Sequence, residues 1–238
     1  MVQIGNFFFR YRTSVSPLLL LLLFIPGAPI FSNPLSAAIL GLVVAFAGQI
    51  VRAATIGLEY IVRGGRNHRV YADDLVTDGL FRHSRNPLYV GKFLMALGLG
   101  IAANRWTALV ALCAAYAFMY HTVVLAEEAY LRNKFGAAFD EYCRQTPRWW
   151  PRLGGLGETF SRFTFNWKRV LIKEYSAPLG WVLPIVLIGV FNMRRAVEAS
   201  QTSYGEPLLY TLLGITVVFW LVAGWIKKKD KWLKPSQT

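Results

Sequence analysis

Long apolar stretches, broken by short polar interruptions, set the pattern of this chain. Six candidate spans follow, at about 15–31, 35–56, 88–103, 106–126, 178–193 and 207–226. A helix needs roughly 20 apolar residues to cross a bilayer. The third candidate is short, and only Asn104 and Arg105 separate it from the fourth, which predicts a tight helical hairpin. At about 1.5 Å per residue the third spans roughly 24 Å, so it needs a thinned membrane or burial in the bundle. Between spans two and three, Gly64-Gly65, Asp73-Asp74 and Asp78-Gly79 signal turns, with short extended pieces expected at Leu75-Val76 and Leu80-Phe81. After span four, Leu131, Phe135, Phe139 and Tyr142 recur at helical spacing and predict an amphipathic helix that Pro147 stops. Trp149 and Trp150 suit the headgroup layer. Residues 160–176 mix aromatic and basic positions, which fits a surface helix or an extension of span five.

Composition agrees with the pattern. The 238 residues are 55% hydrophobic with a mean hydropathy of +0.37, too apolar for an ordinary soluble domain. The formal charge of +13 first suggests nucleic acid, but its placement argues otherwise. With the N-terminus in the cytoplasm, 21 of the 26 Lys and Arg fall in cytoplasmic segments, Arg10 and Arg12 among them. Only Arg105, Arg194 and Arg195 fall outside, and Arg52 and Lys92 lie within spans. That asymmetry predicts N-in and C-in, with anionic lipid headgroups rather than nucleic acid as the counter-charge. Arg10 and Arg12 before an apolar run resemble a signal peptide, but no small-residue cleavage pattern follows, so an uncleaved first span is expected.

Ionisable groups inside spans are expensive and therefore candidates for function. Gln49, Arg52 and Glu59 share one helical face, and Arg52 is expected to pair with Glu59 or with a glutamate of span four. His121 and Glu128 also share a face, with His121 expected as a core imidazole bonded to a neighbouring helix. Glu127 and Glu128 are adjacent acids at a cytoplasmic helix end, a placement relieved by a facing basic pocket. Lys92 is expected to snorkel to the headgroups. Gly98-x-Gly100 follows no strand, so it suits close helix packing rather than a nucleotide loop. His68, His83 and His121 with Cys113 and Cys143 give no metal-ligand spacing, and Ser84 belongs to no triad pattern. Both cysteines fit packing roles.

Four pieces then occur in order: GLFRHSRNPLYVG (79–91), an apolar hairpin, EEAYL (127–131) and KFGAAFDEYCRQTPRWWP (134–151). Over roughly 35–151 this resembles the isoprenylcysteine carboxyl methyltransferase family and is similar to the phospholipid N-methyltransferases. The resemblance implies a membrane enzyme using S-adenosylmethionine at the cytoplasmic ends of spans three and four, with a lipid or lipid-like acceptor. It implies a cofactor wall of Asn86, Pro87, Tyr89 and Gly91, a facing wall of Glu127 and Glu128, and a cover that includes Phe135-Gly136, Tyr142 and Pro147. Arg85 and Glu128 are the implied catalytic pair. Arg85 suits a carboxylate or phosphate of cofactor or substrate, because its planar fork meets two oxygens. The isoprenylcysteine enzymes usually carry His at the Asn86 position and the phospholipid enzymes tend to carry Asn, whereas the FG-x-x-F-x-x-Y tail fits the isoprenylcysteine branch. An NADPH-dependent sterol-type reductase and a non-catalytic scaffold are the competing expectations.

The expected architecture is all-α: a polytopic integral membrane bundle of about six (five to six) helices, with catalytic loops on the cytoplasmic face. Residues 1–157 are expected to form the core, and 158–238 a surface helix with two further spans. The host membrane would be the inner membrane of a bacterium or the endoplasmic reticulum of a eukaryote.

Overall fold

The computed structural model describes residues 1–59, 71–162, 164–198 and 205–229. Gly64-Gly65, His68 and three of the loop arginines lie outside them. Nine α-helices occur among the described residues, with no strand. They are α1 (Val2–Leu19), α2 (Pro34–Leu58), α3 (Pro87–Ala102), α4 (Trp106–Phe135), α5 (Ala137–Gln145), α6 (Leu156–Arg162), α7 (Trp167–Glu174), α8 (Ala177–Glu198) and α9 (Glu206–Lys229). Helices α2, α4, α8 and α9, and α1 with its 3₁₀ extension Leu20–Phe24, are long and apolar enough to cross a membrane; α3 is shorter. This is an all-α polytopic bundle.

Helices α2 and α3 form the tightest pair, and small residues explain why. A Cβ on Gly48 would lie 2.4 Å from the Gly91 carbonyl oxygen, and one on Gly98 would lie 2.4 Å from that of Gly41. The two contacts sit seven residues apart on each helix, so they mark one seam. In lipid, where burial of apolar area gives little drive between helices, such close approach supplies the packing. Gly98 thus serves the packing expected of it. Gly48→Ala is expected to lower stability by about 2 kcal/mol, as overpacked cores do; the midpoint of denaturant unfolding in detergent checks this.

The hairpin between α3 and α4 is as tight as expected. Asn104 takes a positive φ of 56° at its turn. Its side chain accepts from Phe31 N (2.8 Å) and donates to Phe31 O (3.0 Å), tying the turn to the α1–α2 connection.

Several expectations are corrected. The first helix begins at Val2, so Arg10 and Arg12 lie inside it rather than in a cytoplasmic tail. Their aliphatic stems can lie along apolar surface, and the Arg12 guanidinium sits 4.4 Å from the Phe9 ring centroid. Leu80-Phe81 belongs to a 3₁₀ turn, Gly79–Arg82, not to an extended piece. The amphipathic helix after span four is two helices, because Gly136 breaks it at φ 52°. Residues 160–176 hold the end of α6 and all of α7 rather than one helix. Asn166 starts α7 afresh, its Oδ1 accepting from Arg169 N at 2.9 Å.

Candidate active site

The site lies where the start of α3 meets the second half of α4. Pro87 occupies the first turn of α3, where a missing N–H costs nothing. Tyr89 and Asn86 are three apart and both face inward, each almost fully buried. On α4, consecutive residues diverge by about 100°, so Glu127 and Glu128 serve different partners although both are buried.

Glu127 accepts the Tyr89 hydroxyl at 2.7 Å. Its other oxygen, Oε2, is buried with no hydrogen-bond partner among the described residues. Glu128 faces a pair of guanidinium groups. Arg148 meets it in a fork, with Nε to Oε1 at 3.0 Å and Nη2 to Oε2 at 2.8 Å. Arg85 Nη2 lies 3.3 Å from Oε1, and Arg85 Nη1 donates to Cys143 O at 3.1 Å. The expected basic surroundings of the glutamate pair are therefore present. Arg148, which the sequence reading passed over, is Glu128's closest partner; its place in the arginine-rich stretch after α5 was the available signal.

The segment 147–152 runs as a strap beside residues 83–86. Arg85 N donates to Pro147 O (2.9 Å), Asn86 Nδ2 to Arg148 O (3.2 Å) and Ser84 Oγ to Trp149 O (3.1 Å). Arg152 N donates to His83 O (3.0 Å). His83 Nδ1 lies 2.7 Å from Arg152 O and must donate to it, which leaves Nε2 to accept the Thr159 hydroxyl at 2.8 Å. Tyr142 is buried beneath, its hydroxyl donating to Phe81 O at 2.7 Å. Asn86 and Tyr142 thus hold loop carbonyls, while Tyr89 and Glu127 are bonded to each other. Burial pushes the Cys143 thiol up, in keeping with a packing role.

Two cavities meet at Tyr89. One, of about 500 Å³, is an apolar groove between α3 and α4 lined by Val90, Phe93, Phe118, His121 and Trp149 as well as Tyr89. His121 stacks on Trp149 at 6.4 Å across this groove, rather than bonding to a neighbouring helix as expected. The other, of about 170 Å³, is polar and lined by Arg12, Arg52, Asn86, Tyr89, Lys92 and Glu127. Lys92 does not snorkel outward. It lies 5.8 and 5.7 Å from the ring centroids of Tyr89 and Tyr120 and turns into this inner cavity. The aromatic faces offer it electrostatic stabilisation that a lipid-facing route lacks.

Arg52 pairs neither with Glu59 nor with α4. Its partner is Glu174 at the end of α7, bound through Nη2 and through Nε at 2.9 Å. Gln49 donates to the same carboxylate at 3.2 Å and accepts from Trp181 Nε1 at 3.2 Å. Glu59 has left the helix and caps its end, which removes it from the Arg52 face.

The geometry has relatives. Residues 37–138 match the family "phospholipid methyltransferase". That segment contains Tyr89, Glu127 and Glu128 but neither Arg12 nor the strap nor Glu174. Among curated proteins, an 80-residue stretch, 34% of the chain, is 40% identical to the nickel-cobalt-cadmium resistance protein NccN of Alcaligenes xylosoxydans xylosoxydans. A 106-residue stretch, 43% of the chain, is 36% identical to the cobalt-zinc-cadmium resistance protein CzcN of Cupriavidus metallidurans. A 105-residue stretch, 42% of the chain, is 31% identical to the protein-S-isoprenylcysteine O-methyltransferase of Schizosaccharomyces pombe. The matches cover 37%, 46% and 43% of those proteins, less than half of each. The likeness to the isoprenylcysteine and phospholipid enzymes drawn from the motifs is supported by the family match and by the isoprenylcysteine relative. Among the described residues no group of three His, Cys, Asp or Glu could hold a metal ion.

Proposed function

We propose that this protein is an integral-membrane methyltransferase that uses S-adenosylmethionine and acts at the cytoplasmic face on a lipid or lipid-like acceptor. The observation that carries the reading is the position of Tyr89. It forms the common wall between a polar cavity suited to a soluble donor and an apolar groove suited to a chain from the bilayer. The buried, unpartnered Oε2 of Glu127 fits a cationic or hydroxyl donor on the cofactor, since charged acceptors make the stronger bonds.

S-adenosylmethionine supplies an already activated methyl group, so the protein's part is orientation and electrostatics. Tyr89 orients Glu127 through its hydroxyl. Arg85 and Arg148 hold Glu128 and with it the strap, which shields one side of the site from water. A carboxylate acceptor would need no general base; for an amine acceptor, His121 in the apolar groove is the residue this reading gives the proton to. This reading gives Asn86, Pro87, Tyr89, Glu127 and Glu128 to the donor, with Tyr142 supporting the loop above them and Gly91 letting α2 and the Arg52 stem approach. Arg85 and Glu128 form the electrostatic pair at the reacting end. The bundle core with its loops, 1–157, carries the site, and 158–238 braces it.

Calorimetry in detergent should show binding of S-adenosylmethionine and of its demethylated product. Tyr89→Phe and Glu127→Gln should each weaken binding about tenfold, the worth of one hydrogen bond to a charged group. Incubation with methyl-labelled donor and a total lipid extract should place label in a lipid fraction. Binding of NADPH with none of S-adenosylmethionine would replace this reading with the reductase one.

A further inference from the structure

The inner cavity contains more charge than the methyl-transfer reading uses. Three cations from three helices converge on it: Arg12 of α1, Arg52 of α2 and Lys92 of α3. They are not equivalent. Both oxygens of Glu174 are bonded to Arg52, which is thereby neutralised. Arg12 and Lys92 make no ion pair among the described residues, and aromatic rings lie beside both. Across the same cavity sits Glu127, with one oxygen held by Tyr89 and the other unpartnered. Two uncompensated cations and one half-used carboxylate, inside a membrane bundle, are a costly arrangement with no ligand present.

One chemical group answers all three. We infer that the cavity is a receptor for an α-amino-acid end, with the ammonium on Glu127 Oε2 and the carboxylate between Lys92 and Arg12. A volume of about 170 Å³ admits an amino-acid end and excludes a whole nucleoside. Arg12 lies on α1, Lys92 on α3 and Glu127 on α4, so no single motif in the chain announces the set. Arg12 lies outside the segment that matches the family, and Lys92 inside it. This assignment rests on the proposed donor, whose methionine moiety ends in such a zwitterion, and it orients that donor: amino-acid end inward toward α1, sulfur end toward Tyr89 and the apolar groove. Glu174 acts as a positioning residue by holding Arg52 against the cavity wall, where its stem crosses Gly91.

The test compares S-adenosylhomocysteine with 5′-methylthioadenosine, which lacks the amino-acid end, by calorimetry on the full chain in detergent. The wild type should bind S-adenosylhomocysteine at least about tenfold more tightly, as loss of charge-assisted bonds requires. Lys92→Met and Arg12→Met should erase that preference by weakening S-adenosylhomocysteine alone, with 5′-methylthioadenosine affinity within about twofold of wild type. Lys92→Arg should keep most of it, which separates lost charge from lost fold. Equal binding of the two ligands by the wild type, or equal loss of both in the variants, overturns the inference and leaves the methyltransferase reading standing. Failure of S-adenosylhomocysteine to bind the wild type overturns both. If vesicles of anionic phosphatidylglycerol, and not of phosphatidylcholine, displace S-adenosylhomocysteine in a Lys92-dependent way, the cavity belongs to a lipid headgroup and the inference falls.

Discussion

Glu128→Gln is expected to destabilise the protein by about 3 kcal/mol, because it removes the buried carboxylate that two guanidinium groups share. Arg85 and Arg148 converge on this one carboxylate. The Arg85 side chain is 11% exposed and cannot turn to water, whereas Arg148, at 35%, is partly screened. The loss therefore falls mainly on Arg85, and the value sits at the low end for a broken buried pair. The glutamine oxygen can still accept one bond, so the bundle should assemble. The strap should loosen first, since Arg148 anchors its middle. Limited proteolysis should then cut near Arg148 and Arg152 in the variant and spare the wild type. Unchanged unfolding together with an unchanged cleavage pattern would show that the Glu128 pairings carry no structural load.

Glu174→Gln is expected to cost about as much, roughly 3–4 kcal/mol, by the same physics at a different place. Arg52 is 13% and Glu174 6% exposed in the pair, with Gln49 also donating to the carboxylate. Replacing both partners by apolar residues, Arg52→Met with Glu174→Met, should recover most of the loss, because no charge is then left buried. A double-mutant cycle on unfolding in detergent reads the coupling directly. If the double variant is as unstable as the sum of the singles, the pair is not an ion pair in the folded protein.

The motif residues of the site were legible in the sequence because they sit in one hairpin. Tyr89, Glu127 and Glu128 lie within 40 positions, and helical spacing places them at the same end of adjacent helices. The Arg52 partner was not legible: Glu174 is 122 residues away in a short amphipathic helix, where a lone acid among basic residues looks solvated. Lys92 and Arg12 were misjudged for a related reason. A charge near a span end has two ways to meet its cost, outward to headgroups or inward to a polar cavity. The choice depends on whether neighbouring helices leave a cavity. Here the glycine seam that draws α3 onto α2 also brings Lys92 beside Arg52. The split of α4 and α5 at Gly136 was hidden because apolar spacing continues across a residue whose backbone breaks the helix.

The strap also bears on which positions evolution is free to change. Its fastening to residues 83–86 uses main-chain acceptors on Pro147, Arg148, Trp149 and Arg152. A latch made of carbonyl groups keeps its grip whatever side chains it carries. The requirement for particular residues shifts to the opposite side, onto Ser84, Asn86 and His83, and to the single side-chain fork of Arg148. Exchanging the strap side chains other than that of Arg148 should therefore leave its path intact, whereas Ser84→Ala or Asn86→Ala should loosen it.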